Sequence, residues 1–420
     1  MNSPSTTDLL ARRQRALGAS YRLFYDEPFA PVRGEGVWLY DQHGTAYLDA
    51  YNNVASIGHC HPAVVQAIAE QSAQLNTHTR YLHPAIVDYA EALLSEFPPE
   101  LNNLAMTCTG SEANDLALRI AQCHSGGTGV LVTRWAYHGV TGALAQLSPS
   151  LATGLPTAAH VRLVQAPDNY RGNHFVASVK AALDDFRAHG IQPAALLADS
   201  IFSSDGVFSP LAGELAEAAR LVRAAGGLYI ADEVQPGFGR TGAQRWGFQC
   251  SAVVPDLVTL GKPMGNGHPV AGVVGRAALF DGFGRQQRYF NTYGGNPVSC
   301  KAAHAVLRVL REENLQANAL AVGEVLRQGL LALARRYPVI ADVRGQGLFI
   351  GVELVQSPQT RAPATALAAA VVNGLRQRQV LISATGPAGN VLKIRPPLVF
   401  SATHAALLLE RLEATLAALH

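Results

Sequence analysis

Gly227-Leu-Tyr-Ile-Ala-Asp232-Glu-Val-Gln235 is an apolar run that ends in a carboxylate, and Asp256-Leu-Val-Thr-Leu-Gly-Lys262-Pro-Met-Gly-Asn-Gly-His268 is a second that leads into a lysine. Each run has the length and branched apolar content of a buried strand, and each polar residue falls where such a strand ends. A strand closed by Asp and a strand followed by Lys form the pair that pyridoxal phosphate chemistry requires. The amine holds the cofactor aldehyde as a Schiff base, and the carboxylate keeps the pyridine nitrogen protonated, so that the ring absorbs electrons from a substrate carbon.

Similar runs recur on either side. Leu104–Cys108, Gly129–Thr133, Val161–Val164, Ala195–Asp199 and Val270–Val274 read as further strands. Amphipathic stretches at Glu112–Cys123, Phe175–His189 and Glu214–Ala225 read as helices between them. This alternation predicts an α/β large domain over residues 60–304, with a mainly parallel seven-stranded sheet covered by helices on both faces. Such sheets bind ligands at the carboxyl ends of their strands, where Asp232 and Lys262 fall.

Residues 1–59 read as an N-terminal arm and small meander packing with the small domain. Helix-like spacing covers 9–24, and Gly36–Asp41 and Ala46–Asp49 read as a hairpin. From about 305 to 420 the pattern changes to a smaller α+β domain. It has helices at 298–312, 315–336 and 402–418, and strands at Ile340–Arg344, Leu348–Val355, Val380–Ser383 and Val391–Ile394.

The 420 residues are 48% hydrophobic and 15% charged, with 33 basic and 31 acidic side chains and a formal net charge of +2. No charge run offers attraction to nucleic acid or membrane, and no apolar stretch reaches the ~20 residues of a membrane helix. Five scattered cysteines and a start without the basic and apolar regions of a signal peptide lead us to expect a reduced, cytoplasmic protein.

Thr109-Gly110-Ser111-Glu112 opens an amphipathic helix after an apolar run. Alone, Gly110 and Ser111 there read as an ordinary helix start; beside the Asp232–Lys262 pair they read as a cradle for a phosphate. Tyr137-His138-Gly139 follows the next strand, where an aromatic ring either stacks on a cofactor or joins the core. Gln235, three residues beyond Asp232, is within reach of a cofactor oxygen or faces water. Gly58-His-Cys-His61 invites a metal reading, but no second cluster completes a tetrahedral site, and we expect no metal.

These phrases together resemble the class III aminotransferases of PLP fold type I. The resemblance rests on Tyr47-Leu-Asp49, Gly110-Ser-Glu-Ala-Asn114, Tyr137-His-Gly139, Ala231-Asp-Glu-Val-Gln235, Gly237-Phe-Gly-Arg-Thr-Gly242, Gly261-Lys-Pro263 and Gly295-Asn-Pro297, which span most of the chain in family order. It implies the Schiff base at Lys262, the pyridinium partner at Asp232, phosphate contacts from Gly110 and Ser111, and cofactor contacts from Tyr137, His138 and Gln235. It also implies that Thr292 reaches the phosphate of a neighbouring protomer, in a homodimer or homotetramer with active sites at the subunit interface.

Within the family the chain looks most like phospho-lyases acting on ethanolamine phosphate and phosphohydroxylysine. The shared phrases include Leu75-Asn-Thr-His-Thr-Arg-Tyr-Leu-His83 and Asn390-Val-Leu-Lys-Ile-Arg-Pro-Pro397. Many family transaminases place Arg three residues before the Pro-Pro pair to grip a substrate carboxylate. Here Lys393 stands there, and a lysine cannot form the bidentate fork. Ser204 stands where those enzymes carry the Glu that swings against this Arg. We therefore expect elimination of phosphate from a phosphorylated primary amine, with Arg80, Lys393 and Arg395 holding the substrate anion. The alternative is amino transfer to pyruvate, glyoxylate or 2-oxoglutarate.

Overall fold

A computed structural model describes residues 6–151 and 157–419. The first five residues of the expected arm lie outside the described residues.

The large sheet runs 103–107, 271–275, 257–260, 228–232, 193–199, 129–133, 161–164 across its width. Ala271–Gly275 is antiparallel to both neighbours, while the remaining pairs are parallel. The central strands are apolar without a break because helices cover both faces. Period-two alternation sorts their side chains. Ile230 and Leu197 pack toward helix Gly110–Ser125, with Ala113, Leu116 and Ile120. Tyr229 and Leu196 pack toward helices Phe175–Ala188 and Glu214–Ala224, with Phe186 and Leu215. By the same alternation Asp232 faces helix Gly110–Ser125 and Glu233 faces away from it.

Two smaller sheets complete the architecture. Ile340–Gln346, Phe349–Leu354, Val391–Ile394 and Ser383–Thr385 form an antiparallel sheet next to helices Leu315–Arg336 and Thr365–Gln377. Pro31–Glu35, Trp38–Asp41 and Ala46–Asp49 form a meander, extended by Val380–Leu381 in parallel.

Three local expectations change. The N-terminal helix runs Thr6–Leu17 and stops where Gly18 turns left-handed, at φ 66°. A first meander strand, Pro31–Glu35, was not expected from the sequence, since it is mostly exposed and lacks apolar alternation. The single strand expected over Val380–Ser383 is two strands. Leu381 accepts from Ala50 N in the meander sheet, whereas Ser383 pairs with Lys393 in the other. Among the described residues, no helix is long and apolar enough to cross a membrane.

Candidate active site

Asp232 ends its strand beside Asp199, its cross-strand partner. Asp232 is 5% exposed and fully engaged. Its Oδ2 accepts from Asn114 Nδ2 at 2.9 Å and meets His138 Nδ1 at 2.8 Å, and its Oδ1 accepts from Val234 N at 3.1 Å. Asn114 lies one turn into helix Gly110–Ser125. Its Oδ1 accepts from Thr259 Oγ1 at 2.6 Å, and its Nδ2 also donates to the carbonyl of His138. Buried polar groups this well satisfied hold one geometry. The exception is His138 Nε2, which is buried with no partner among the described residues.

Lys262 opens a short turn, Lys262–Gly265, directly after strand Leu257–Leu260. Its Nζ lies 5.9 Å from the centroid of the Tyr137 ring. Burial depresses the Lys262 pKa, and the Arg395 charge adds to the effect against the opposing pull of Asp232 and Asp199. The amine is thereby biased toward its neutral, nucleophilic form.

Thr109 caps helix Gly110–Ser125 in a full capping box. Its side chain accepts from Glu112 N at 3.1 Å, and Glu112 accepts from Thr109 N and Cys108 N. The N–H groups of Gly110 and Ser111 belong to the open first turn, where the helix favours an anion. Gly139 packs against this turn with φ 142°. A Cβ on it would sit 2.6 Å from Ser111 Oγ. Gly110, Ser111, Tyr137, His138, Asp232, Gln235 and Lys262 line one cavity. This donor set fits pyridoxal phosphate: an amine for the aldehyde, a buried carboxylate for the ring nitrogen, and open N–H groups for the phosphate.

Gln235 links this cavity to a neighbouring cleft of about 380 Å³. Its Oε1 accepts from Arg395 Nη1, and its carbonyl accepts from Asn53 Nδ2 at 3.1 Å. Arg395 lies over the Tyr51 ring, 4.7 Å from the centroid, and lines the cleft with Lys393, Tyr51, Thr385 and Phe24. Lys393 and Arg395 are 6% and 7% exposed, so both belong to the interior. Burial lowers both pKa values, and for Lys393 the Arg395 charge comes next. Among the described residues Arg395 Nε is buried without a partner, and Lys393 Nζ lies 5.5 Å from the centroid of the Phe349 ring. Arg395 therefore reaches from the cleft to Gln235 at the edge of the first cavity.

The remaining expected residues lie apart. Arg80 is exposed on a turn and stacks on Phe290, 3.8 Å from its centroid. Thr292 is exposed two residues beyond Phe290. The backbone carbonyl of Ser204 accepts from Gly386 N at 3.2 Å, tying its segment to the small domain. His59 pairs with Asp49 at 2.7 Å, and His61 meets Glu313 and caps helix Pro62–Gln74.

Four contributors were missed in the sequence. Asn114 and Thr259 were visible only as members of quoted phrases. Asp199 is the matching end of the adjacent strand. Arg240, 1% exposed, donates through Nη1 to the carbonyls of Pro396 and Leu348, and so anchors the segment that carries Arg395.

Residues 24–416 match the family described as aminotransferase class-III. A phospholyase from Arthrobacter, solved in complex with phosphoethanolamine, is 48% identical with a TM-score of 0.95, and the match covers 98% of this chain and all of that one. An alanine–glyoxylate aminotransferase 2-like protein of Drosophila melanogaster is 40% identical over 420 residues, 96% of this chain and 85% of its own length. Ethanolamine-phosphate phospho-lyase homolog 1 of Caenorhabditis elegans is 38% identical over 423 residues, 94% of this chain and 90% of its own length.

Proposed function

This chain belongs to the class III aminotransferase family, and we propose that within it the protein is a phospho-lyase, eliminating phosphate from a phosphorylated primary amine such as ethanolamine phosphate or a phosphohydroxylysine. Its cofactor is pyridoxal 5′-phosphate. When bound, the cofactor supplies an electron sink conjugated to the amine-bearing carbon of the substrate.

We assign the residues as follows. Lys262 holds the cofactor, is displaced by the substrate amine, and then takes the proton from the carbon bearing that amine. Asp232, fixed by Asn114 and His138, keeps a proton on the ring nitrogen. Gly110 and Ser111 receive the cofactor phosphate, Tyr137 covers the ring, and Gln235 turns an N–H toward the ring oxygen while its Oε1 accepts from Arg395. Lys393 and Arg395 receive the substrate phosphate.

The observation that carries this reading is the pair Lys393 and Arg395. Two buried cations with unused donors create a site for a dianion, and a phosphate monoester is one near neutral pH. The phosphoethanolamine complex of the 48%-identical phospholyase supports the same substrate class.

The transaminase reading keeps its support in relatives named alanine–glyoxylate aminotransferase 2, the Drosophila protein among them. The test is phosphate and ammonia release from phosphoethanolamine or phosphohydroxylysine with no keto acid present. Equal release of both over many turnovers establishes a lyase. No phosphate, with conversion of the cofactor to its amine form by alanine, establishes a transaminase.

We further propose a homodimer or homotetramer in the cytoplasm. Tyr81, Phe290 and Tyr293 are exposed in the same stretches as Arg80 and Thr292. A surface this aromatic suits a second copy, and Thr292 and Arg80 would then serve the partner's site. Sedimentation of the cofactor-loaded protein as a monomer would refute this assembly.

A further inference from the structure

Elimination from a phosphate ester demands a proton. The substrate phosphate is a dianion near neutral pH. Breaking its C–O bond with both electrons on oxygen would release trivalent phosphate, a very poor leaving group. A proton must reach that oxygen as the bond breaks.

The residues around the cleft offer few donors. Arg395 keeps its proton at any attainable pH. Lys262 is occupied with the proton of the amine-bearing carbon. Tyr51 lies beneath Arg395 and engages it. Lys393 is different. It is buried and lines the cleft beside Arg395, which follows two residues later just past the end of strand Val391–Ile394. No hydrogen-bond acceptor among the described residues holds its ammonium: the Phe349 ring lies 5.5 Å away, and Asp199 and Asp205 act on it through charge alone.

We propose that Lys393 is the general acid of the elimination, an inference that rests on the lyase reading above. Once Lys262 has removed the carbon-bound proton, the electron pair left behind forms a double bond to the neighbouring carbon. The C–O bond breaks with its pair on oxygen. A Lys393 N–H proton passes to that oxygen, and phosphate departs as the hydrogenphosphate dianion. Lys393 is left as a neutral amine and regains its proton from solvent.

The electrostatics favour this cycle. Before substrate binds, burial and Arg395 weaken the hold of Lys393 on its proton, with Asp199 opposing. An arriving dianion stabilises the ammonium, so the substrate loads its own acid. Departure of the product removes that support. The replacement of the carboxylate-gripping Arg of family transaminases by Lys393 then has a chemical reason: an amine can surrender a proton, whereas a guanidinium cannot.

Lys393→Arg tests the assignment, since arginine is the residue that family transaminases carry at this position. It keeps the charge and loses the transferable proton. Phosphate release from phosphoethanolamine should fall at least about 100-fold in kcat, with KM within a few-fold of wild type. Exchange of the carbon-bound proton with deuterated solvent should continue while phosphate release stalls. Elimination of chloride from 2-chloroethylamine, which needs no proton, should stay within about threefold of wild type. Lys393→Met provides a second variant, in which both KM and kcat suffer with phosphate and chloride elimination persists.

Unimpaired phosphate release by Lys393→Arg would overturn the proposal. So would an equal loss with phosphate and chloride, which would make Lys393 a positioning residue. Absence of phosphate release by the wild-type enzyme would instead sink the lyase reading itself, and this inference with it.

Discussion

Asp199 and Asp232 stand side by side at the ends of adjacent parallel strands, yet only Asp232 is met by Asn114 and His138. The carboxylate of Asp199 is held by the backbone amides of Ile201 at 3.0 Å and Ser203 at 2.9 Å. Burial raises the Asp199 pKa, and the neighbouring Asp232 adds to the rise. Two carboxylates this close cannot share the same role. On the proposed function, these hydrogen-bond donors are what fits Asp232, rather than Asp199, to a cofactor nitrogen.

Asp232→Asn should therefore cut kcat by at least about a hundredfold, because the fixed charge opposite the ring is lost. His138→Phe removes one hydrogen bond to that carboxylate and should cost roughly 10- to 100-fold. Steady-state kinetics on the cofactor-loaded variants decide this. An Asp232→Asn enzyme of near-normal rate would remove Asp232 from the mechanism.

Arg395→Ala should raise KM for a phosphorylated amine by roughly 100-fold, as expected for loss of a charge-assisted contact. Inorganic phosphate supplies an independent readout. It should raise the melting temperature of the wild-type protein and leave the variant unmoved. Equal stabilisation of both would place the anion site elsewhere.

Glu233 and Asp205 predict how stability responds to pH. Burial raises Glu233 to about 7 and Asp205 to about 6, both above their ordinary unfolded values. The folded state thus binds these protons more tightly than the unfolded chain. Their stabilising contribution is complete at low pH and fades as pH rises through about 6 and then about 7. Melting temperatures should fall between about pH 4.5 and 7, roughly the span from the unfolded to the folded values of these two groups. Glu233→Gln should flatten the upper half of that fall. Its melting point should also be lower at every pH, since Gly247 N and Phe248 N donate to this carboxylate. A Glu233→Gln profile as steep as wild type would contradict the assignment.

Gly139→Ala should loosen cofactor binding. The new Cβ would meet Ser111 Oγ at 2.6 Å and Leu144 Cδ1 at 2.7 Å, at a φ of 142° that alanine rarely adopts. Strain of about 1–3 kcal/mol would fall on the turn carrying Tyr137 and on the helix start carrying Ser111. Titration with pyridoxal phosphate measures the effect, and unchanged affinity would show that this contact is slack.

Much of this site was legible because its residues sit at strand ends. An apolar run announces the strand, and the first polar residue after it is the candidate for the site, as with Asp232 and Lys262, which the fold brings to one cavity. Residues that act through packing gave no such signal. Asn114 is one amide within a helix, and only the fold brings it to Asp232. Arg240 reads as part of a glycine-rich turn, yet it reaches across the molecule to the carbonyl of Pro396. Lys393 and Arg395 were visible as charges near a Pro-Pro pair, whereas their shared burial was not. Val380–Ser383 misled because local sequence does not say when a strand changes sheets.

That change of sheets joins the two ends of the chain. Val380 and Leu381 lie against Leu48 and Asp49, so a strand made early in synthesis waits for one made near its close. Until then Ala46–Asp49 presents bare N–H and C=O groups, an adhesive edge on a nascent protein. Its maturation is therefore exposed to chaperone supply and to premature truncation. A fragment ending before Val380 should be recovered as aggregate even though the whole large sheet has been translated.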